Sequence, residues 1–290
     1  MAAYMKSRMA TTLALATLAL ALLYADVIAG LVRAWRTNDD YSHGLLVAPI
    51  CAYFVWERRH RLATLDVRPS LAGLAIVLIS LLVLMAGELG AELFLARVSI
   101  IGVLAGSVMF VLGPMHARTL ALPLGFALLM IPLPAIVFNA IAFPLQLVAS
   151  RVAEVTLSVL GIPVVREGNV IFLATATLEV AEACSGIRSL VSLLTLGIVY
   201  GYFTEDSVIW RVVLAAATLP IAVLANALRV AGTGFLAHVA GAAAADGFFH
   251  TFAGWLVFMT AVVMLFLVQR LLRLAGPSTP TPSVVGGVAL

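Results

Sequence analysis

Eight stretches of nearly uninterrupted apolar residues run through the chain, at roughly 11–32, 44–56, 70–87, 93–113, 119–138, 186–203, 210–231 and 251–270. Such runs leave few folds open. About 20 apolar residues of α-helix cross the hydrocarbon core of a bilayer, and backbone polar groups inside it must be satisfied within the segment itself. A transmembrane barrel would need alternating rather than continuous hydrophobicity. Composition agrees. Of 290 residues, 63% are apolar and 11% charged, against about 45–50% and about 25% in soluble domains. A soluble enzyme, a disordered chain, a fibre and a nucleic-acid binder are excluded. The expected fold is an all-α polytopic membrane protein with about eight transmembrane helices. The second stretch is short for a span and is expected to begin nearer Tyr41, and Pro123, Pro132 and Pro134 interrupt the fifth.

The N-terminus (Lys6, Arg8, then an apolar run to Ala29) has the charge of a signal peptide. The run is longer than a signal h-region and lacks an obvious cleavage site, so it reads as the first span. Orientation follows from Lys and Arg placement. With the N-terminus inside, Lys6, Arg8, Arg58, Arg59, Arg61, Arg68, Arg118, Arg211, Arg270 and Arg273, ten of the seventeen basic residues, face the cytoplasm. The outer side then holds Arg33 and Arg36, offset by Asp39 and Asp40, and the acids Glu88 and Glu92.

Residues 139–183 do not read as a simple loop. Gln146, Ser150, Arg151, Glu154 and Ser158 among apolar residues suggest an amphipathic interfacial helix over 139–160. Gly161 and Pro163 end it. Val164–Leu173 follows, β-branched on both sides of Glu167-Gly168-Asn169, which reads as a β-hairpin. Leu178-Glu179-Val180 offers a third strand. A hairpin exposed to hydrocarbon is untenable, so 139–183 is expected to form a periplasmic cap. Residues 1–275 are then one transmembrane domain, and the Pro/Ser/Thr/Gly-rich tail 276–290 is expected to be disordered.

Candidate chemistry gathers at the outer ends of the spans. Glu182-Ala183-Cys184-Ser185-Gly186-Ile187-Arg188-Ser189 leads into the sixth span. A thiol near a helix N-terminus feels the positive end of the dipole, which favours thiolate. Arg188 adds to this and Glu182 opposes it. Taken alone, Cys184 reads equally well as a small buried hydrophobe, as Cys51 does. Asn226-Ala227-Leu228-Arg229 closes the seventh span, and an arginine in or near a span points to function by default. A snorkelling interfacial arginine is the plainer alternative. Asn226 shares its helix face. His250, in Gly247–Trp255, opens the eighth span and taken alone is more simply part of an aromatic belt. Together the three are stronger than apart. A thiolate needs a base, His titrates in the useful range, and acyl transfer needs positive charge at the developing oxyanion, which Arg supplies. His43, in Tyr41-Ser42-His43-Gly44, is either a second site residue or a helix cap with Ser42. The two cysteines form no disulfide framework or Cys-x-x-Cys motif. With no phosphate loop and no His/Asp cluster, no cofactor or metal is expected. A transporter would instead place polar groups at the midplane of paired broken helices. Another membrane acyl or glycosyl transferase would centre on His43, Asp39 and Asp40.

These residues resemble the exosortase family, the multi-pass membrane transpeptidases of Gram-negative bacteria, related to archaeosortases. The segments carrying the resemblance are Glu182–Ser189, Asn226–Arg229 and Phe249-His250, with Tyr41–Gly44 and Trp56-Glu57-Arg58-Arg59. It extends over roughly residues 10 to 272. It implies a Cys-Arg-His site of Cys184, Arg229 and His250 facing the periplasm from the inner membrane, supported by Glu182, Ser185, Arg188, Asn226 and His43. It also implies membrane-anchored protein substrates with a C-terminal sorting signal: a Pro-Glu-Pro motif, one transmembrane helix and a basic tail. The implied chemistry is sortase-like, through a thioester on Cys184 that an acceptor or water resolves. Some members carry a further soluble C-terminal domain; this chain stops shortly after its last span, which leaves a separate accessory protein an open expectation.

Overall fold

The computed structural model describes residues 15–179, 186–241 and 248–275; the side chains of residues 39, 186–189, 248–253 and 275 lie outside that description. The chain divides into two compact units, one up to Asn139 and one from Ala140.

The first unit opens with a bent helix, α1 (Leu15–Leu23) and α2 (Ala25–Thr37), which meet at 54°. Tyr24 sits at the break with its phenol and Ser99 Oγ 2.9 Å apart. Around this bond Tyr24, Leu84, Ala96 and Val103 form a buried cluster. The main scaffold is a pair of packed helices, α5 (Leu71–Leu89) and α6 (Leu93–Val111). Their seam is made of small residues. Gly73, Ser80 and Gly87, every seventh residue of α5, share one buried face. A Cβ on Gly73 would lie 2.2 Å from the backbone nitrogen of Phe110, and one on Gly87 would lie 2.6 Å from that of Ala96. Only glycine admits backbones that close, as in other membrane helix pairs. Between the bent helix and this pair run α3 (Gly44–Glu57) and α4 (Arg59–Thr64). Arg59 stacks on the Trp56 ring at 4.0 Å, and Arg58 donates to the Phe54 carbonyl at 2.8 Å, so α3 ends on an aromatic–arginine anchor.

The fifth apolar stretch is broken where its prolines interrupt it. It is not one helix over 119–138 but α7 (Pro114–Thr119), α8 (Ala121–Phe126), a 3-10 turn Ala127–Met130 and an extended break. Pro132 and Pro134 supply no N–H and push the residues before them out of the helical region. Helix α9 then runs unbroken over Ala135–Val159, 25 residues; the segment expected as an interfacial helix over 139–160 begins earlier and is long and apolar enough to cross a membrane.

In the second unit, α9 is followed by an antiparallel sheet of β1 (Val164–Glu167), β2 (Val170–Leu173) and β3 (Thr177–Glu179), in the order β1-β2-β3. Glu167 pairs with Val170, leaving the two-residue loop Gly168-Asn169, with Gly168 at φ +62°. This matches the hairpin and third strand expected from turn chemistry. Ser150 Oγ is hydrogen-bonded to the Gly168 carbonyl at 3.1 Å, and Glu154 accepts from Arg166 Nε at 2.8 Å. Two residues that make α9 look amphipathic therefore hold the hairpin. Three more helices follow: α10 (Gly186–Thr204), α11 (Val208–Ala240) and α12 (Phe248–Ala275). Leu193, Leu214, Ile221, Ala225, Ala261 and Leu265 form their shared core.

Five helices among the described residues are long and apolar enough to cross a membrane: α5, α6, α9, α11 and Gly254–Leu274 of α12, or six if the bent pair is one span. Three further apolar pieces, Gly44–Glu57, Ala121–Met130 and Leu190–Thr204, are shorter. The eight expected stretches thus resolve into full-length and short helices: the first falls on the bent pair α1–α2 from Leu15 on, the fifth is broken, and each of the others falls on one helix. This is a multi-pass, mostly helical membrane protein. At 1.5 Å per residue α11 is about 50 Å long, well beyond the about 30 Å of hydrocarbon. Its final third carries the sheet: Thr175 Oγ1 donates to the Ala237 carbonyl at 3.2 Å, and Ala149, Ala153, Leu157 and Ile171 pack with Ala227, Val230 and Ala231.

Candidate active site

Arg229 stands out because it is 7% exposed inside a long apolar helix. A guanidinium in that setting is costly unless it is paired or faces a polar pocket. Its head lies against α12, where a Cβ built on Gly254 would be 3.9 Å from Cζ and Nη2. Gly254 thus leaves room for the guanidinium beside the helix backbone. Gly254 comes one turn after His250 on the same helix, and residues four apart share a face. The backbone of His250 is therefore one turn from the Arg229 head.

The register of α10 and α11 brings a third position to this level. A Cβ on Gly197 would touch Thr218 at 2.5 Å, and one on Gly201 would touch Leu214 at 3.5 Å, which fixes an antiparallel pairing. Eleven residues back from Gly197 is Gly186, and eleven on from Thr218 is Arg229. With equal rise per residue, the first residue of α10 stands level with Arg229. Cys184, Glu182 and Ser185 lie just before it, outside the described residues. Arg188 is on α10 and His250 on α12, with their side chains outside the description. Asn226 is half-buried, three residues before Arg229 on α11.

A second polar cluster belongs to the first unit. His43 occupies the N-cap position of α3 without capping it; its Nε2 donates to the Leu129 carbonyl at 2.9 Å. Trp35 Nε1 donates to the neighbouring Met130 carbonyl at 2.8 Å, so both rings hold the 3-10 turn. The Nδ1 of His43 is buried and has no hydrogen-bond partner among the described residues. Arg97, 8% exposed on α6, lies within electrostatic reach of Tyr41. Burial pushes the Tyr41 phenol above its usual range, Asp40 adds to this, and Arg97 opposes it. No carboxylate among the described residues forms an ion pair with Arg97. Sequence reasoning passed over Arg97, although a single charge inside the 93–113 run is itself a signal. Gly254 was also missed, and no local pattern marks it. Cys51 bonds weakly to the Pro123 carbonyl at 3.4 Å, a packed structural thiol. Among the described residues no three His, Cys, Asp or Glu side chains group as metal ligands.

Residues 35–267 match the transmembrane exosortase family. The chain belongs to that family. No curated protein and no solved structure matches it. The match takes in both polar clusters of this exosortase, from Trp35 through the Arg229–Gly254 contact. Arg229 is thus a buried cation at a helix junction in a transmembrane exosortase, next to the turn that carries His250.

Proposed function

We propose that this exosortase is a cysteine peptidase and transpeptidase of the bacterial inner membrane. Its site faces the periplasm, and it cleaves a C-terminal Pro-Glu-Pro-type sorting signal from membrane-anchored exported proteins. The Cys184 thiolate attacks the scissile carbonyl, and Arg229 stabilises the oxyanion that forms. The tetrahedral intermediate collapses by breaking the C–N bond. His250, holding the proton taken from the thiol, gives it to the leaving amine. This leaves a thioester on Cys184. An acceptor nucleophile, or water, attacks it, forming the new acyl bond and returning the thiol.

The observation that supports this most is the level of Arg229. It is buried beside Gly254, one turn from His250, and in register with the start of the helix that follows Cys184. The spare length in α11 is compatible with a junction near the edge of the hydrocarbon. A substrate held by its own helix diffuses in the bilayer plane and presents its motif at that level. The sheet and α9, packed on the last third of α11, suit a cap that grips the motif. The test is trapping: a substrate fragment thioester-linked to Cys184, detected by mass spectrometry. Cys184→Ala should abolish processing of a tagged substrate while leaving the protein in the membrane. Normal processing by that variant refutes the proposal.

A further inference from the structure

The other end of α12 carries a feature that the proposed chemistry does not use. A groove of about 450 Å³ opens there, within the about 300–1,000 Å³ typical of small-ligand sites. Val263, Phe266 and Leu267 line it, with Arg270 and Arg273 further along the same helix. These positions follow the three- and four-residue spacing of a single helix face. The stripe is thus apolar where α12 lies within the span Gly254–Leu274 and cationic where that span ends.

The walls are built. Phe266 packs edge-on against Tyr200, with ring centroids 4.8 Å apart. The Tyr200 hydroxyl donates to Gln269 Oε1 at 3.2 Å, and Gln269 Nε2 donates to Glu205 Oε1 at 2.7 Å. Glu205 also pairs with Arg273 Nε at 3.3 Å, and Arg273 reaches the Thr204 carbonyl. Glu205 therefore fixes Arg273 in place and neutralises one of the two arginines. Arg270 is exposed, and no carboxylate among the described residues pairs with it. The groove mouth keeps one net positive charge.

We infer that this groove binds one anionic phospholipid, its phosphate against Arg270 and Arg273 and an acyl chain along Val263, Phe266 and Leu267. The two halves of the groove select this occupant together. A soluble anion has no use for the exposed apolar stripe, which belongs to a helix long and apolar enough to cross a membrane. A partner's apolar helix gains nothing from two arginines. A lipid with a net negative headgroup matches both, and basic pockets between helices at the membrane surface bind such lipids.

The experiment uses the full chain in detergent with native mass spectrometry, titrating dioleoylphosphatidylglycerol against dioleoylphosphatidylcholine. The wild-type protein should retain one phosphatidylglycerol in preference to phosphatidylcholine. An arginine near the surface contributes about 1 kcal/mol to such binding, so Arg270→Gln should cut the preference about fivefold. Arg270→Lys should keep most of it, and Arg61→Gln, a control at an exposed arginine outside the groove, should leave it unchanged. Leu267→Trp should lower retention of both lipids at this site by filling the groove. Equal retention of the two lipids by the wild-type protein overturns the inference, as does an unaltered preference in Arg270→Gln. Displacement of bound phosphatidylglycerol by millimolar inorganic phosphate would also overturn it, because the site would then be one for a free anion.

Discussion

Gly254 offers a graded test of the contact between α11 and α12. A methyl group at this position would lie 3.9 Å from Cζ and Nη2 of Arg229, an ordinary van der Waals distance. Gly254→Ala should therefore fit without moving the guanidinium. Alanine is also favoured over glycine inside a helix by about 1 kcal/mol, so the variant should melt at the same temperature as the parent or higher. Gly254→Leu is different. Its branched end must occupy the space that the guanidinium fills, and overpacking of a closed site costs about 1–3 kcal/mol. The least costly relief is displacement of the Arg229 head. Losing one oxyanion partner costs about 10²- to 10³-fold in turnover. The assay compares three proteins, parent, Gly254→Ala and Gly254→Leu, by the cleavage rate of a tagged substrate in membranes at matched protein levels. Near-parental cleavage by the alanine variant and a 10²- to 10³-fold loss in the leucine variant are expected. Full activity in Gly254→Leu would show that Arg229 does not act at the reacting atoms. Loss of activity in Gly254→Ala would refute the spacing on which the reasoning rests.

Two further outcomes follow from the first unit. Gly73→Ala should lower the melting temperature in detergent, because its methyl would lie 2.2 Å from a backbone nitrogen on α6, and overpacking there costs about 1–3 kcal/mol. Gly125→Ala, with nothing within 4 Å, is the matched control and should melt as the parent does. Arg97→Met should leave the melting temperature unchanged or raise it, since a charge within a span costs about 2.5–3.5 kcal/mol and no carboxylate among the described residues pairs with this one. A clear fall in melting temperature would show that the guanidinium is compensated in the folded protein.

Much of this architecture was legible because the bilayer makes local signals strong. Apolar runs locate helices, and Gly168-Asn169 between β-branched residues fixes a hairpin without reference to the rest of the chain. The break in the fifth stretch was legible in Pro132 and Pro134, which lack an N–H; the short helices and 3-10 turn on its N-terminal side were not, because hydropathy does not register them. Ser150 and Glu154 marked α9 as amphipathic, yet their role is to hold Gly168 and Arg166, and that appears only when the hairpin folds back. Arg229 was visible as a charge in an apolar run. Gly254 was not, because its contribution is empty space shaped by a different helix.

The length of α11 links fold to function. A helix that only crossed the bilayer would end about 20 residues after Val208, just short of Arg229. The continuation to Ala240 gives α11 about 20 Å more than a bilayer crossing needs, and the sheet packs on its final third. Val230, Ala231 and Ala237 on that third bear on α9 and the strand-rich segment, and Ala227 and Val230 flank Arg229 in the same buried patch. One helix therefore carries both Arg229 and the surface on which the sheet packs. The glycine contacts of α10 and α12 bring both helices to the level of Arg229 on α11.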